Sequence, residues 1–168
     1  MAAIRDWSWF FKYPAETTIV IPVPKYVEGD LLLAILSTDS GAQTWSCSGW
    51  TQLFSVTNET NLAVMYKIAS ASEPADYTFS YTTSSTANGV IVSIPDADPS
   101  TIFADHDTAN ITTNREAMPV SVASRNNSLV IYCWSHTLVG TKPSAIEGPV
   151  TFITSKDNAN FGTVKRFV

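Results

Sequence analysis

The sequence predicts an all-β protein: an antiparallel, jelly-roll-like β-sandwich of about 8–10 strands with an aromatic N-terminal arm. Three observations lead there. Apolar residues alternate with polar ones in short runs, most clearly over residues 50–57 and 61–69. Polar turn signals such as Asn58-Glu59-Thr60 and Arg125-Asn126-Asn127-Ser128 separate these runs. No stretch of ten or more residues carries capped helical periodicity, because proline and polar residues interrupt each candidate.

In chain order, residues 1–14 (MAAIRDWSWFFKYP) gather Trp7, Trp9, Phe10, Phe11 and Tyr13 into a short segment. Extended, the segment places Trp7, Trp9 and Phe11 on one side. Pro14 is expected to end it. One reading is an edge strand or short helix covering the chain's own core. The other is an arm docking on a neighbouring subunit, since clustered aromatics are typical interface anchors. Residues 17–24 (TTIVIPVP) form a strand that Pro22 and Pro24 confine to an edge or a strand end.

Residues 30–37 are a continuous apolar strand, ended by the polar run Ser37-Thr38-Asp39-Ser40-Gly41. The loop over residues 37–49 is polar except for Trp45. In the strand over 50–57, Trp50, Gln52, Phe54 and Val56 share a face. In the next, Leu62, Val64, Tyr66 and Ile68 oppose Ala63, Met65 and Lys67. Residues 76–82 alternate with Tyr77, Phe79 and Tyr81 on one face, 83–87 read as a polar turn, and 88–95 as a short apolar strand, making a hairpin. An acidic connection over 96–115 leads to a strand at 117–123.

The central block recurs. Residues 127–134 repeat the pattern of 29–36 at a displacement of 98, while 148–155 and 160–168 repeat 49–56 and 61–69 at a displacement of 99. The order of features repeats more than the residues do, so the alternative is that alternation and turn chemistry make any two β-meanders alike. The first block continues through residues 70–94 whereas the second ends at Val168. Either a longer chain supplies the missing strands or the N-terminal segment fills their place. The domain reading is an arm at 1–16 and one sandwich domain at 17–168, or two related β-blocks at 17–95 and 117–168.

Composition narrows the function. Charged residues are 15% of the 168, below the roughly 25% of an ordinary domain, and Ser, Thr and Asn take their place. That favours a surface or particle β-protein over a cytosolic enzyme. The net charge of −5, without a basic cluster, gives no footprint for nucleic acid. No apolar run reaches the roughly 20 residues that span a bilayer, and because no basic region followed by an apolar stretch opens the sequence, no secretory signal is expected. Cys47 and Cys133 are expected to be free thiols, because the repeat does not align them.

Chemistry finds little support. Asp105-His106-Asp107, with Asp96 and Asp98 nearby, is the best metal candidate, but it lacks calcium-loop spacing and a second ligand pair for zinc. His106 and His136 are the only histidines, and no serine lies in Gly-x-Ser-x-Gly. Cys133 and His136 fall on opposite faces of an extended strand. No phosphate-cradling or dinucleotide loop is present. The expectation is no catalytic residue, no cofactor and no metal. Trp45, Trp50 and Trp134 are alternative candidates for stacking on a sugar ring, against burial in the core.

Gly29-Asp30-Leu31-Leu32-Leu33-Ala34, Ser48-Gly49-Trp50-Thr51, Tyr66-Lys67-Ile68-Ala69, Asp76-Tyr77-Thr78-Phe79 and Ile91-Val92-Ser93-Ile94 follow one another in an order that resembles a β-sandwich module of tailed-bacteriophage virion proteins and related bacterial surface proteins. The resemblance covers roughly residues 17–95 and, more weakly, 121–168. It implies a non-enzymatic structural role in a virion, as a capsid decoration or cement protein. It also implies a homo-oligomer, with a trimer favoured, in contact with other virion proteins such as the major capsid protein. A tail or tail-fibre component, and a carbohydrate- or receptor-binding module, are the alternatives.

Overall fold

A computed structural model of the chain describes residues 4–57 and 60–97, together with Ile131 and the residue pairs 150–151 and 164–165. Eight strands are described. They are β1 (Asp6–Pro22), β2 (Leu31–Thr38), β3 (Trp45–Ser46), β4 (Thr51–Thr57), β5 (Asn61–Ile68), β6 (Asp76–Ile94), β7 (Val150–Thr151) and β8 (Val164–Lys165). The first six form one open sheet in the order β1-β6-β2-β5-β4, with β3 also paired to β6; β7 and β8 pair with each other. Every pairing is antiparallel. For the described residues the all-β antiparallel expectation therefore holds. Two stacked sheets and a jelly-roll winding are not displayed by the described strands.

β2 lies at the centre because its apolar run has no polar side to offer water, and all eight of its residues are buried. Leu32, Ala34 and Leu36 enter a first core cluster with Ala63, Met65, Ala87 and Ile91. Leu31, Leu33 and Ile35 enter a second with Val64, Val90, Val92 and Ile94. The alternation expected of β5 is observed, with Ala63 and Met65 in the first cluster and Leu62, Val64 and Tyr66 at the second. β4 departs from its expected faces. A register shift between Gln52 and Phe54 inserts an extra residue, so Leu53 and Phe54 both reach the second cluster while Trp50 stays in the first.

Two other sequence expectations are corrected. Pro14 does not end an element: β1 continues through it to Pro22 and crosses the boundary drawn after residue 16. Its ladder with β6 is only irregular there, with shifts between Lys12 and Glu16 and between Glu16 and Thr18. The hairpin over 76–95 is a single 19-residue strand, β6. Its polar middle stays extended because the loop after β2 supplies hydrogen-bond partners. Thr83 N–H donates to Gln43 Oε1 at 2.8 Å and Thr86 N–H to Asp39 Oδ1 at 3.1 Å. Asp39 N–H donates to the Thr86 carbonyl at 3.2 Å. Side chains from a neighbouring loop are invisible to a local turn rule.

The two long strands bend. The Ser8 hydroxyl donates to the Pro22 carbonyl within β1 itself, although a straight strand would separate those residues by roughly 45 Å. Ile21, whose register partner is Tyr77, lies against Gly89 of the same β6. The outer halves of β1 and β6 thus fold over the sheet. They bring Ile19, Ile21, Tyr77 and Phe79 onto the first cluster. Gly89 marks the closest approach: a Cβ there would stand 2.5 Å from Ile21 Cδ1 and 2.8 Å from Leu36 Cδ2, both side chains fully buried. Gly89→Val should therefore destabilise by about 1–3 kcal/mol through overpacking, measured by urea denaturation.

Most of the second block, the acidic connection over 98–115, and with them Asp98, Asp105, His106, Asp107, Cys133, Trp134 and His136, lie outside the described residues.

Candidate functional site

The best candidate surface is β1, which forms one margin of the sheet and, among the described residues, has a neighbour on one flank only. Trp7 and Trp9 stand opposite Val92 and Val90, Phe10 opposite Gly89 and Phe11 opposite Asn88. Of the five aromatics singled out in the sequence, Trp7, Trp9, Phe10 and Tyr13 are exposed, from 37% for Trp7 to 76% for Tyr13. Phe11 is half-buried. A long edge with aromatic side chains in water is what a monomeric sheet ordinarily avoids.

β1 is also firmly anchored, so the arm is a built part of the sheet. Arg5 N–H donates to the Ser93 carbonyl at 2.8 Å. The Arg5 guanidinium reaches Asp30 through Nε at 2.6 Å and Nη2 at 3.2 Å. Lys25 N–H donates to Asp6 Oδ2 at 2.7 Å, and Lys12 pairs with Glu16 at 2.7 Å. The Tyr13–Pro14 peptide is cis.

Asp30 was missed as a hub by sequence reasoning, although Gly29-Asp30 was noticed as a motif. Gly29 takes φ +89°, a region that disfavours a side chain, and turns the chain into β2. Asp30 Oδ2 then accepts from Val27 N–H and the Ser93 hydroxyl, each at 2.9 Å, as well as from Arg5. Burial pushes the Asp30 carboxyl up, but the Arg5, Val27 and Ser93 hydrogen bonds outweigh it and hold the group below its usual range. Arg5 is raised in turn, chiefly by its hydrogen bond to Asp30.

A second polar knot closes the connection after β5. Lys67 Nζ donates to Glu73 Oε2 and to the Tyr77 hydroxyl, each at 2.6 Å, and the Tyr77 hydroxyl donates to Glu73. Ser70 N–H and Oγ donate to Glu73 Oε1 at 2.5 and 2.8 Å, and Glu73 N–H donates to the Tyr26 hydroxyl at 2.7 Å. Burial raises the Glu73 carboxyl, yet Lys67 and Ser70 bring it net below its ordinary value. Cys47 is a free, half-buried thiol, raised by burial against the opposing charge of Lys67. A thiol raised in this way is a weaker nucleophile at neutral pH than an ordinary cysteine. Burial first, then Glu16 and Asp39, push the Tyr81 hydroxyl up to about 12. Among the described residues, no group of three or more His, Cys, Asp or Glu side chains could hold a metal ion.

Trp45 and Trp50 are packed in the first cluster, not offered to solvent. Trp45 packs against Tyr81 with ring centroids 4.7 Å apart and the planes tilted by 45°, and its Nε1 donates to Asn61 Oδ1 at 2.7 Å. Trp50 follows Gly49, which takes φ +78°, and meets Tyr77 and Phe79 edge-on at 5.1 Å. Trp50 Nε1 is buried and has no hydrogen-bond partner among the described residues. The two indoles should respond differently to phenylalanine. Trp45→Phe strands the Asn61 acceptor and should cost about 2–3 kcal/mol. Trp50→Phe loses volume but removes an orphaned donor, and should cost less than about 1.5 kcal/mol. Chemical denaturation of the pair checks the order.

Comparison with known proteins found no match among family models, curated proteins or solved structures.

Proposed function

We propose that the protein is a non-enzymatic structural protein of a tailed-bacteriophage virion, of the capsid decoration or cement type, acting as a homo-oligomer built on a β-sandwich. The observation that carries the self-associating role is the row of exposed aromatics on the anchored edge strand β1. The particle role rests on the resemblance of the motif order over residues 17–95 and on the low-charge, Ser/Thr/Asn-rich composition. A tail position is the variant of the same reading. The sugar-stacking alternative loses support at Trp45 and Trp50, whose rings are spent on the core.

The mechanism is burial of apolar edge surface between copies and against the shell. A stable contact of this sort covers more than roughly 1,000 Å². Deleting the first 14 residues would be a poor test, because it removes half of β1 and the Arg5 and Asp6 contacts that anchor it. Phe10→Arg/Tyr13→Arg keeps the strand and charges its exposed side. Sedimentation velocity of the wild type should show an oligomer. The double variant should dissociate at least about tenfold more readily with an unchanged far-ultraviolet spectrum, and should fail to co-sediment with particles. A wild type that sediments as a monomer at about 100 µM, well above the affinity a standard interface provides, would remove the reading.

A further inference from the structure

We propose that two copies of the chain join edge to edge through β1, antiparallel about a two-fold axis at Trp9, so that one sheet runs through both. The proposal rests on the self-association by β1 put forward above and adds its geometry. The partner is a second copy, and the register sets Asp6 of each copy against the partner's Lys12.

The hydrogen-bonding phase of β1 limits the choice. In an antiparallel ladder the N–H and C=O of one residue point to the same flank, and successive residues alternate flanks. The Ser93 carbonyl of β6 accepts from Arg5 N–H at 2.8 Å, towards β1, and the Thr86 carbonyl accepts from Asp39 N–H at 3.2 Å, towards β2. Odd-numbered residues of this half of β6 therefore serve β1, and even-numbered ones serve β2. By register, Ser93, Ile91, Gly89 and Ala87 engage Asp6, Ser8, Phe10 and Lys12. The backbone groups of Trp7, Trp9 and Phe11 point to the other flank, where β1 has no second strand beside it among the described residues. A strand added there must set odd-numbered residues against odd-numbered ones.

Length and charge then select one register. Regular pairing of β1 with β6 runs from Asp6 to Lys12 and is shifted beyond it, and Pro14 has no N–H to offer. Trp9 is the midpoint of that stretch, so an axis there uses all of it. Trp9 meets the partner's Trp9, Trp7 the partner's Phe11, and Ser8 the partner's Phe10. Asp6 and the partner's Lys12 stand directly opposite, twice by symmetry. An axis at Ser8 would set Asp6 against the partner's Phe10, and one at Phe10 would set Asp6 against the partner's Pro14. Neither matches a charge.

The side chains fit the same arrangement. Trp7 and Trp9 are 37% and 39% exposed and stand opposite Val92 and Val90, on one face of the sheet. With the partner's Phe11 they make a row of cross-strand aromatic pairs. Lys12 is held at 2.7 Å by Glu16, whose side chain is 47% exposed. A pair so exposed competes weakly with a new partner.

Charge reversal followed by mixing tests the register on the full chain. Asp6→Lys and Lys12→Asp each set like charges opposite one another at both places. Each should weaken self-association at least about tenfold in sedimentation velocity, with an unchanged far-ultraviolet spectrum. An equimolar mixture of the two should recover the wild-type affinity. There the introduced lysine meets the introduced aspartate, and native Lys12 meets native Asp6. Variants that associate as the wild type does, or a loss that mixing does not recover, would overturn the register. The Phe10→Arg/Tyr13→Arg comparison separately decides whether β1 associates at all. A measurement without substitution guards against misfolded variants. In a mixture of differently isotope-labelled wild-type chains, Ser8 Hα should show a nuclear Overhauser contact to the partner's Phe10 Hα, since they form a close, non-hydrogen-bonded pair. A contact from Ser8 Hα to the partner's Ser8 Hα, or no contact between chains along β1, would overturn the proposal.

Discussion

Phe79→Ala should cost about 3–5 kcal/mol, the largest loss expected of any single side chain here. Phe79 is fully buried on the strand half that folds over the sheet, edge-on to Trp50 at 5.1 Å and opposite Ile19 in register. Truncation removes its transfer energy and leaves a cavity that flanking Trp50, Tyr77 and Ile19 cannot collapse into without leaving their own contacts. Domains of this kind have about 5–15 kcal/mol in all, so the variant should sit near the edge of folding. Its midpoint should fall by about 10 °C or more in a thermal melt. Val20→Ala, on the exposed side of the same strand pair, should stay within about 1 kcal/mol. Equal effects of the two would mean that the folded-over half of β1 and β6 is not a core.

That contrast also marks how far the sequence could be read. β2, β4 and β5 were legible because each is short and its pattern is local: a run without a polar side, then two alternating runs joined by a polar turn. β5 even had its faces assigned correctly. β1 and β6 were read as broken because Pro14 and the Thr- and Ser-rich middle of β6 look like punctuation. What keeps them whole is distant in sequence: on either side of Pro14, partners in β6 such as Ala87 for Lys12 and Ser85 for Glu16, and in the case of β6 itself Gln43 and Asp39. The bulge in β4 has no residue signature either, and it moved Phe54 to the face opposite Trp50.

The candidate surface was half legible. Clustered aromatics at residues 7–13 stood out by composition, but their anchoring did not. Arg5 and Asp30 are 25 residues apart, and only the sheet brings them together. Trp45 and Trp50 illustrate the converse: an aromatic in a polar loop reads as accessible until the loop is seen to close over the core.

Asp30→Asn should be the most damaging polar substitution, costing about 2–3 kcal/mol at pH 7. The carboxylate joins four segments: Arg5 ahead of β1, Val27 in the turn, its own position at the start of β2, and Ser93 on β6. Hydrogen bonds to a buried charge are worth about 1.5–3 kcal/mol each, but the ion pair with Arg5 is discounted because the Arg5 side chain is more than a third exposed. An amide of the same size keeps the packing and loses one acceptor and the charge. The pH dependence follows from the direction of the shift. Asp30 and Glu73 are both held below their ordinary values in the folded protein. Their contribution is therefore fully present above the unfolded-state range near roughly pH 4. It is lost as pH falls through the lower folded-state values. Urea denaturation from pH 7 down to pH 2.5 should show wild-type stability falling below about pH 4, with the gap to Asp30→Asn closing as the wild-type carboxylate takes up its proton. Arg5→Met should show a smaller loss with the same closing gap, since it removes one partner and leaves Val27 and Ser93 in place. A gap that stays constant down to pH 2.5 would mean that Asp30 is not held as the anion by this hub, and that the anchoring of the edge strand lies elsewhere.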